Sequence, residues 1–143
     1  MADIIYNHFF KKLAKGSMPL EDGTVRVALV GSGYIPNKDH DAWAQVSGNE
    51  IAGTNYVANG KLLQNALVEE DDLNNKVVFK GDNVQWMDSS LTARYAVMYF
   101  EGTAGGTTNP LIACFDFGAE RTSYQGTFSV EWNPDGIFSF QQS

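Results

Sequence analysis

Arg94 stands in the middle of the apolar, aromatic run LTARYAVMYF, residues 91–100. A guanidinium is permanently charged and offers a rigid fork of donors. On a strand it either grips an anionic ligand or is gripped by a carboxylate of its own chain. The other side chains able to do chemistry are few. His8 and His40 are far apart in sequence, and His40 lies between Asp39 and Asp41. The single cysteine, Cys114, is embedded in the apolar run LIACFDFG. Structural or catalytic zinc needs convergent nitrogen and sulfur ligands at close spacing, and this set does not supply them. Calcium asks only for clustered oxygens. Asp39 with Asp41, or the acidic run Glu69–Asp72, offers oxygens, but without the spacing of an EF-hand loop.

Two short motifs copy known ones by letter only. Gly31-Ser32-Gly33 follows a β-branched run, as a dinucleotide fingerprint would, but the third glycine is missing. Pro36 also blocks the helix whose N-terminus would hold the phosphate. Asp116-Phe117-Gly118 spells a kinase triplet in a chain with no room for a kinase. Phe115 and Phe117 read instead as core, and Asp116 as a strand carboxylate. No G-x-S-x-G elbow is present, and nothing near Cys114 in sequence would activate it. Any two of the 17 acidic residues meeting in space would make a glycosidase-like pair, but no spacing singles one out. The reading is of no enzyme: no catalytic residue, cofactor or metal ligand is assigned.

Trp43, Trp86 and Trp132 remain. On one reading they form a sugar-stacking face; on the other they are core. Trp86 and Trp132 alternate with the same parity as Val84 and Val130, which favours core for both.

The elements needed to position these residues are mostly strands. Residues 3–15 carry the one clear helical pattern, with Ile5, Phe9 and Leu13 one turn apart. Asp3 stands near its start, Lys11, Lys12 and Lys15 near its end, and Gly16 after it. Its wide apolar stripe packs either on its own sheet or on a partner subunit. Phe9, Phe10, Leu13, Lys11 and Lys12, with Trp43, are the candidate partner-facing residues. From residue 24 to 141 the pattern is extended. TVRVALV, KVVFK, NVQWMD, residues 91–100 and LIACFDFG read as strands. Asn59-Gly60 signals a hairpin. So does GTFSVEWNPDGIFSF, where Pro134 and Gly136 fit a turn between two alternating runs. Residues 102–110 and the acidic run 69–72 read as loops, and DAWAQVS as a short helix or irregular. The expectation is a single domain, 1–143, with one N-terminal α-helix. It carries an antiparallel β-sandwich or barrel of about seven to eight strands.

Composition narrows the classes. At 143 residues, 43% hydrophobic and 13% aromatic, the chain can build one core without disulfides. A net charge of −7 argues against nucleic acid and anionic membranes as partners. The N-terminal stretch has its charges in the wrong order for a secretory signal. No apolar run reaches the length of a membrane span. These features fit a soluble protein made in a cytoplasm.

Five segments, TVRVALVGSGYIPN, EIAGTNYVANGKLL, DNVQWMDSSLTARYAVMYF, LIACFDFG and GTFSVEWNPDGIFSF, taken in this order, resemble a widespread family. It comprises small virion structural proteins of tailed bacteriophages and prophages. The resemblance spans about residues 5–140 and is nearest to capsid decoration, or cement, proteins. It implies a non-enzymatic part of a virion whose partners are the major capsid protein or other virion proteins. It also implies a homo-oligomer, with a trimer matching the threefold sites of a capsid lattice. A tail or neck component, or a carbohydrate-binding module for host attachment, is the alternative. The resemblance carries no catalytic motif to Arg94. Arg94 is therefore expected to be structural, on the face opposite Tyr95, Val97 and Tyr99, with Asp82, Asp88 or Asp116 as its acceptor. Trp86, Trp132 and Gly136 are the other structural positions.

Overall fold

The computed structural model describes residues 3–142. The ends of the expected domain, residues 1, 2 and 143, lie outside it. In chain order the elements are β1 (Ile4–Ile5), α1 (Asn7–Ala14) and β2 (Val25–Val30). Two 3-10 turns, Trp43–Gln45 and Ser47–Asn49, follow. Then come β3 (Lys61–Leu62), β4 (Leu67–Asp71), β5 (Lys76–Lys80), β6 (Val84–Ser89) and β7 (Thr92–Phe100). The last are β8 (Thr103–Ala104), β9 (Thr107–Thr108), β10 (Leu111–Thr122), β11 (Gly126–Val130) and β12 (Phe138–Gln141). Every pairing among these strands is antiparallel. The central sheet runs β1-β10-β7-β2-β3. Beside it lie a three-stranded sheet, β12-β5-β4, and two pairs, β11-β6 and β8-β9.

The central sheet is covered on both faces, and its strands show why. Side chains alternate across a strand. In β2, Val25, Val27 and Leu29 enter one core, where Met98, Ile112, Trp86 and Phe128 meet them. Ala28 and Val30 enter a second core with Val97, Cys114, Tyr34 and Trp43. A strand buried on both sides has no polar face to show, so VRVALV is apolar nearly throughout. The small sheets and α1 close the first core. The N-terminal segment and the excursion between β2 and β3 close the second. The layering is sandwich-like, and the sheets do not close into a barrel.

Several expectations are corrected. The helix begins at Asn7, not at residue 3, because Ile4 and Ile5 pair with Cys114 and Ala113 at the edge of the central sheet. Asp3 does not sit at the helix start; its carboxylate accepts the Asp116 N–H. The helix stop is as expected. Gly16 takes φ +70°, and the Gly16 and Ser17 amides return to the Leu13 and Lys12 carbonyls, the Schellman pattern. Among the described residues there are twelve strands rather than seven or eight. Four of the extra ones are two-residue pairings, including the ribbon of β8 and β9 inside the expected loop 102–110. The fifth is β4, which carries the acidic run expected to be a loop.

Both hairpin expectations fail in the same way. The Asn133–Gly136 turn forms, with Gly136 N–H donating to the Asn133 carbonyl at 2.9 Å and Gly136 at φ +127°. Yet β11 pairs with β6 and β12 with β5, so the turn hands the chain from one sheet to another. Asn59 and Gly60 are both left-handed, at φ 76° and 78°, but no strand runs into this turn, and β3 pairs instead with the distant β2. Gly60 is required there for a second reason. A Cβ on it would lie 2.0 Å from the Val27 carbonyl oxygen.

Candidate functional site

Arg94 is held by its own chain. Its Nε donates to Asp116 Oδ1 at 2.8 Å, and its Nη2 lies 3.4 Å from Oδ2. The Asp116 side chain is only 1% exposed, while Arg94 is 27% exposed. Asp116 also accepts the Gly118 N–H at 2.8 Å. The hydrogen bonds that Arg94 donates hold the Asp116 carboxyl below its ordinary value and raise the Arg94 guanidinium further. The guanidinium does not stay on the far face from Tyr95. It reaches over the Tyr95 ring, 5.6 Å from its centre, because its acceptor is the register partner of Tyr95. Between Asp116 and Arg121 the β10–β7 register shifts. The DFG letters therefore mark where a strand bulges and a carboxylate pins the bulge. Phe115 and Phe117 pack against Trp132 and Phe128.

A second polar cluster fastens α1 to the loop before the first 3-10 turn. Lys12, almost buried, donates to Asp41 Oδ1, and Thr107 Oγ1 donates to Asp41 Oδ2 at 2.9 Å. Partial burial pushes the Asp41 carboxyl up, but the Lys12 and Thr107 contacts outweigh it, and the net shift is downward. Nearby, the Tyr6 and Tyr34 hydroxyls lie 2.8 Å apart, and Tyr34 Oη lies 3.0 Å from His40 Nδ1. Burial raises both phenols above their ordinary values. It also pushes the Cys114 thiol up to about 12. The free Cys114 thiol packs in the second core with Tyr6, Val97 and Leu111. Asn7 occupies Asp39 at 2.8 Å. His40, Asp39 and Asp41 thus hold neighbouring segments in place.

The six candidate partner-facing residues separate. Phe9 is fully buried and edge-on to Phe138. Lys12 is consumed by Asp41. Trp43 stacks on Tyr99 with ring centres 4.7 Å apart and donates from Nε1 to Asn59. These three are interior, which corrects the expectation. An eight-residue helix turns one stripe to the body, and Phe9 and Lys12, three apart, both fall on it. Phe10 and Lys11 stay exposed, and Leu13 is half-covered. Trp86 is core as expected. Trp132 is only partly buried, with its Nε1 donating to the Asp82 carbonyl. No family model, no curated protein and no solved structure matches this chain.

The surface that remains unfilled is one the sequence reading passed over. One face of the β12-β5-β4 sheet carries Val68, Phe79, Phe138, Val77 and Phe140 by strand register. Leu13 and Leu20 border the same cleft, whose volume is about 270 Å³. Val68 is 50% and Phe140 40% exposed. Alternation in KVVFK and IFSF was the available signal. The run of carboxylates hid the strand that completes the face, because acidic residues are depleted in strands. No helix among the described residues is long and apolar enough to cross a membrane.

Proposed function

We propose that this chain is a non-enzymatic structural protein of a tailed-phage virion, acting as a capsid decoration (cement) protein on the outside of the head. One observation carries the reading. Four of the five family-like segments are built around the longer strands of the fold, and the conspicuous ion pair within them is spent inside the chain. TVRVALV is β2, DNVQWMDSSLTARYAVMYF spans β6 and β7, and LIACFDFG opens β10. Arg94 is occupied by Asp116, which supports a role in shape rather than turnover.

A cement protein needs no chemistry. Each copy, alone or as a trimer, buries area across seams between major capsid subunits. Standard interfaces bury about 1,600 Å² in total, and many copies act together. A net charge of −7 suits an outward position better than contact with packaged DNA. The test is to image intact particles and to compare particles with and without the protein under heating. We expect density on the outer head surface. We also expect unchanged DNA content but DNA release at lower temperature when the protein is missing. Density confined to the tail or neck, with head stability unchanged, overturns the cement reading in favour of a tail component.

A further inference from the structure

We propose that β4 is a receiving edge: an extended segment of a partner protein adds to it as a fourth strand. On the side facing the cleft, that segment alternates apolar residues with lysine or arginine.

The first ground is the edge itself. β4 ends the β12-β5-β4 order, and no described strand pairs with its outer side. Alternate residues of such an edge point N–H and C=O outward, ready to form a ladder. Leu67 to Glu70 are all exposed, so no other part of the described chain caps them.

The second ground is the cleft beside that edge. Its lining is almost wholly apolar, from Leu13 and Leu20 to Val68, Phe138 and Phe140. At about 270 Å³ it falls short of the usual small-molecule pocket of roughly 300–1,000 Å³. It suits side chains projecting from an added strand, where the ladder supplies affinity and side-chain pockets supply selection.

The third ground is charge, and it selects the occupant. Register places Val68 opposite Phe79 and Glu70 opposite Val77, both on the cleft side. Glu70 and Asp72 line the polar continuation of the cleft past Val77 and Phe140. Among the described residues neither has a cationic partner, whereas Glu69 is taken by Lys80 and Asp71 is bonded to Asn74. Lys76, which also borders this end, is in register with Asp71. Lys11 and Lys15 lie two positions from Leu13, about 200° round the helix from it. A second copy of β4 is excluded as the occupant. Antiparallel self-pairing would bring two sets of Glu69–Asp72 carboxylates together, and like charges across a ladder are unfavourable. A strand with an apolar residue beside Val68 and a cation beside Glu70 matches the apolar and the acidic ends of the cleft.

The experiment uses the full chain and an mRNA-displayed library of random decapeptides, with no virion component. Selection should enrich an apolar–x–Lys/Arg alternation. A synthetic peptide of the consensus should shift the amide resonances of Leu67–Asp71. Methylating its ladder-forming N–H groups should weaken binding at least tenfold. The double variant E70K/D72K, at two exposed positions, should keep its fold by circular dichroism and select acidic residues instead. The proposal is overturned by no enrichment, by a helical i,i+4 consensus, or by amide shifts away from β4. It is also overturned by a dimer that forms through β4, detected by sedimentation and strengthened in E70K/D72K. Absence of the protein from phage particles would remove the virion reading and leave this result standing.

Discussion

The five-stranded and three-stranded sheets follow the same antiparallel pairing rules and differ in what covers them. In β2 both side-chain parities are buried, and every residue but Arg26 is apolar and inaccessible. In β4 the strand is exposed almost along its whole length. The central sheet is therefore where stability resides. The outer sheet is where the molecule has surface to give. Burying an apolar side chain stabilises by roughly 1.5–3 kcal/mol relative to leaving it exposed, so equal truncations in the two sheets should have unequal effects.

The sharpest comparison is Leu29→Ala against Leu67→Ala. Leu29 is fully buried in the central sheet, whereas Leu67 is 42% exposed in β4. Leu29→Ala should destabilise by about 2–5 kcal/mol, and Leu67→Ala by no more than about 0.5 kcal/mol, both read from denaturant unfolding. Similar losses at both sites would break the distinction.

Gly136→Val probes the seam where the chain passes from β11 to the outer sheet. Its new Cβ would lie 2.1 Å from Val78 Cγ1 and 3.2 Å from the Phe79 carbonyl oxygen, at φ +127°. A loss of about 1–3 kcal/mol is expected from strain and overpacking. A mutant as stable as the parent would mean that the turn can relocate freely.

Ion pairs offer the same comparison at smaller scale. Arg94–Asp116 has one nearly inaccessible partner, while Lys80–Glu69 is exposed on both sides, at 41% and 55%. Arg94→Ala should lower Tm by roughly 3–8 °C, because it leaves the covered Asp116 without its cation. Lys80→Ala should lower Tm by about 2 °C at most. A reversed order would show that exposure does not govern these pairs.

Acid should find the same sites. Asp116 and Asp41 both titrate below their ordinary value in the fold. A depressed carboxyl contributes stability above its unfolded pKa, and that contribution is lost as pH falls through the folded value. Thermal stability from these two groups should be level above about pH 5 and decline from about pH 4 downward. Asp116→Asn should flatten that decline. The smallest effect is expected at Glu70→Lys on the open edge, with a stability change within about 0.5 kcal/mol.

Much of the framework was legible because it is local or periodic. β2, β5, β6, β7, the start of β10, and β11 followed from alternation and β-branched runs. The Schellman stop at Gly16 followed from glycine after the lysines. That a carboxylate of its own chain would hold Arg94 was also readable, but which carboxylate was not. Asp82, Asp88 and Asp116 were equal in sequence, and only the pairing of β10 with β7 brings Asp116 across. Turn chemistry fixed Asn59-Gly60 and Asn133–Gly136 as turns, since left-handed backbone is a property of the residues themselves. It did not fix which strands those turns would serve. Strand partners are chosen by burial over long sequence separations, so β11 and β12 part into different sheets. The same long-range choice drew Phe9, Lys12 and Trp43 inward. It also made a strand of an acidic run whose own propensity opposes one, because β5 offered β4 a ladder that local preference could not outweigh.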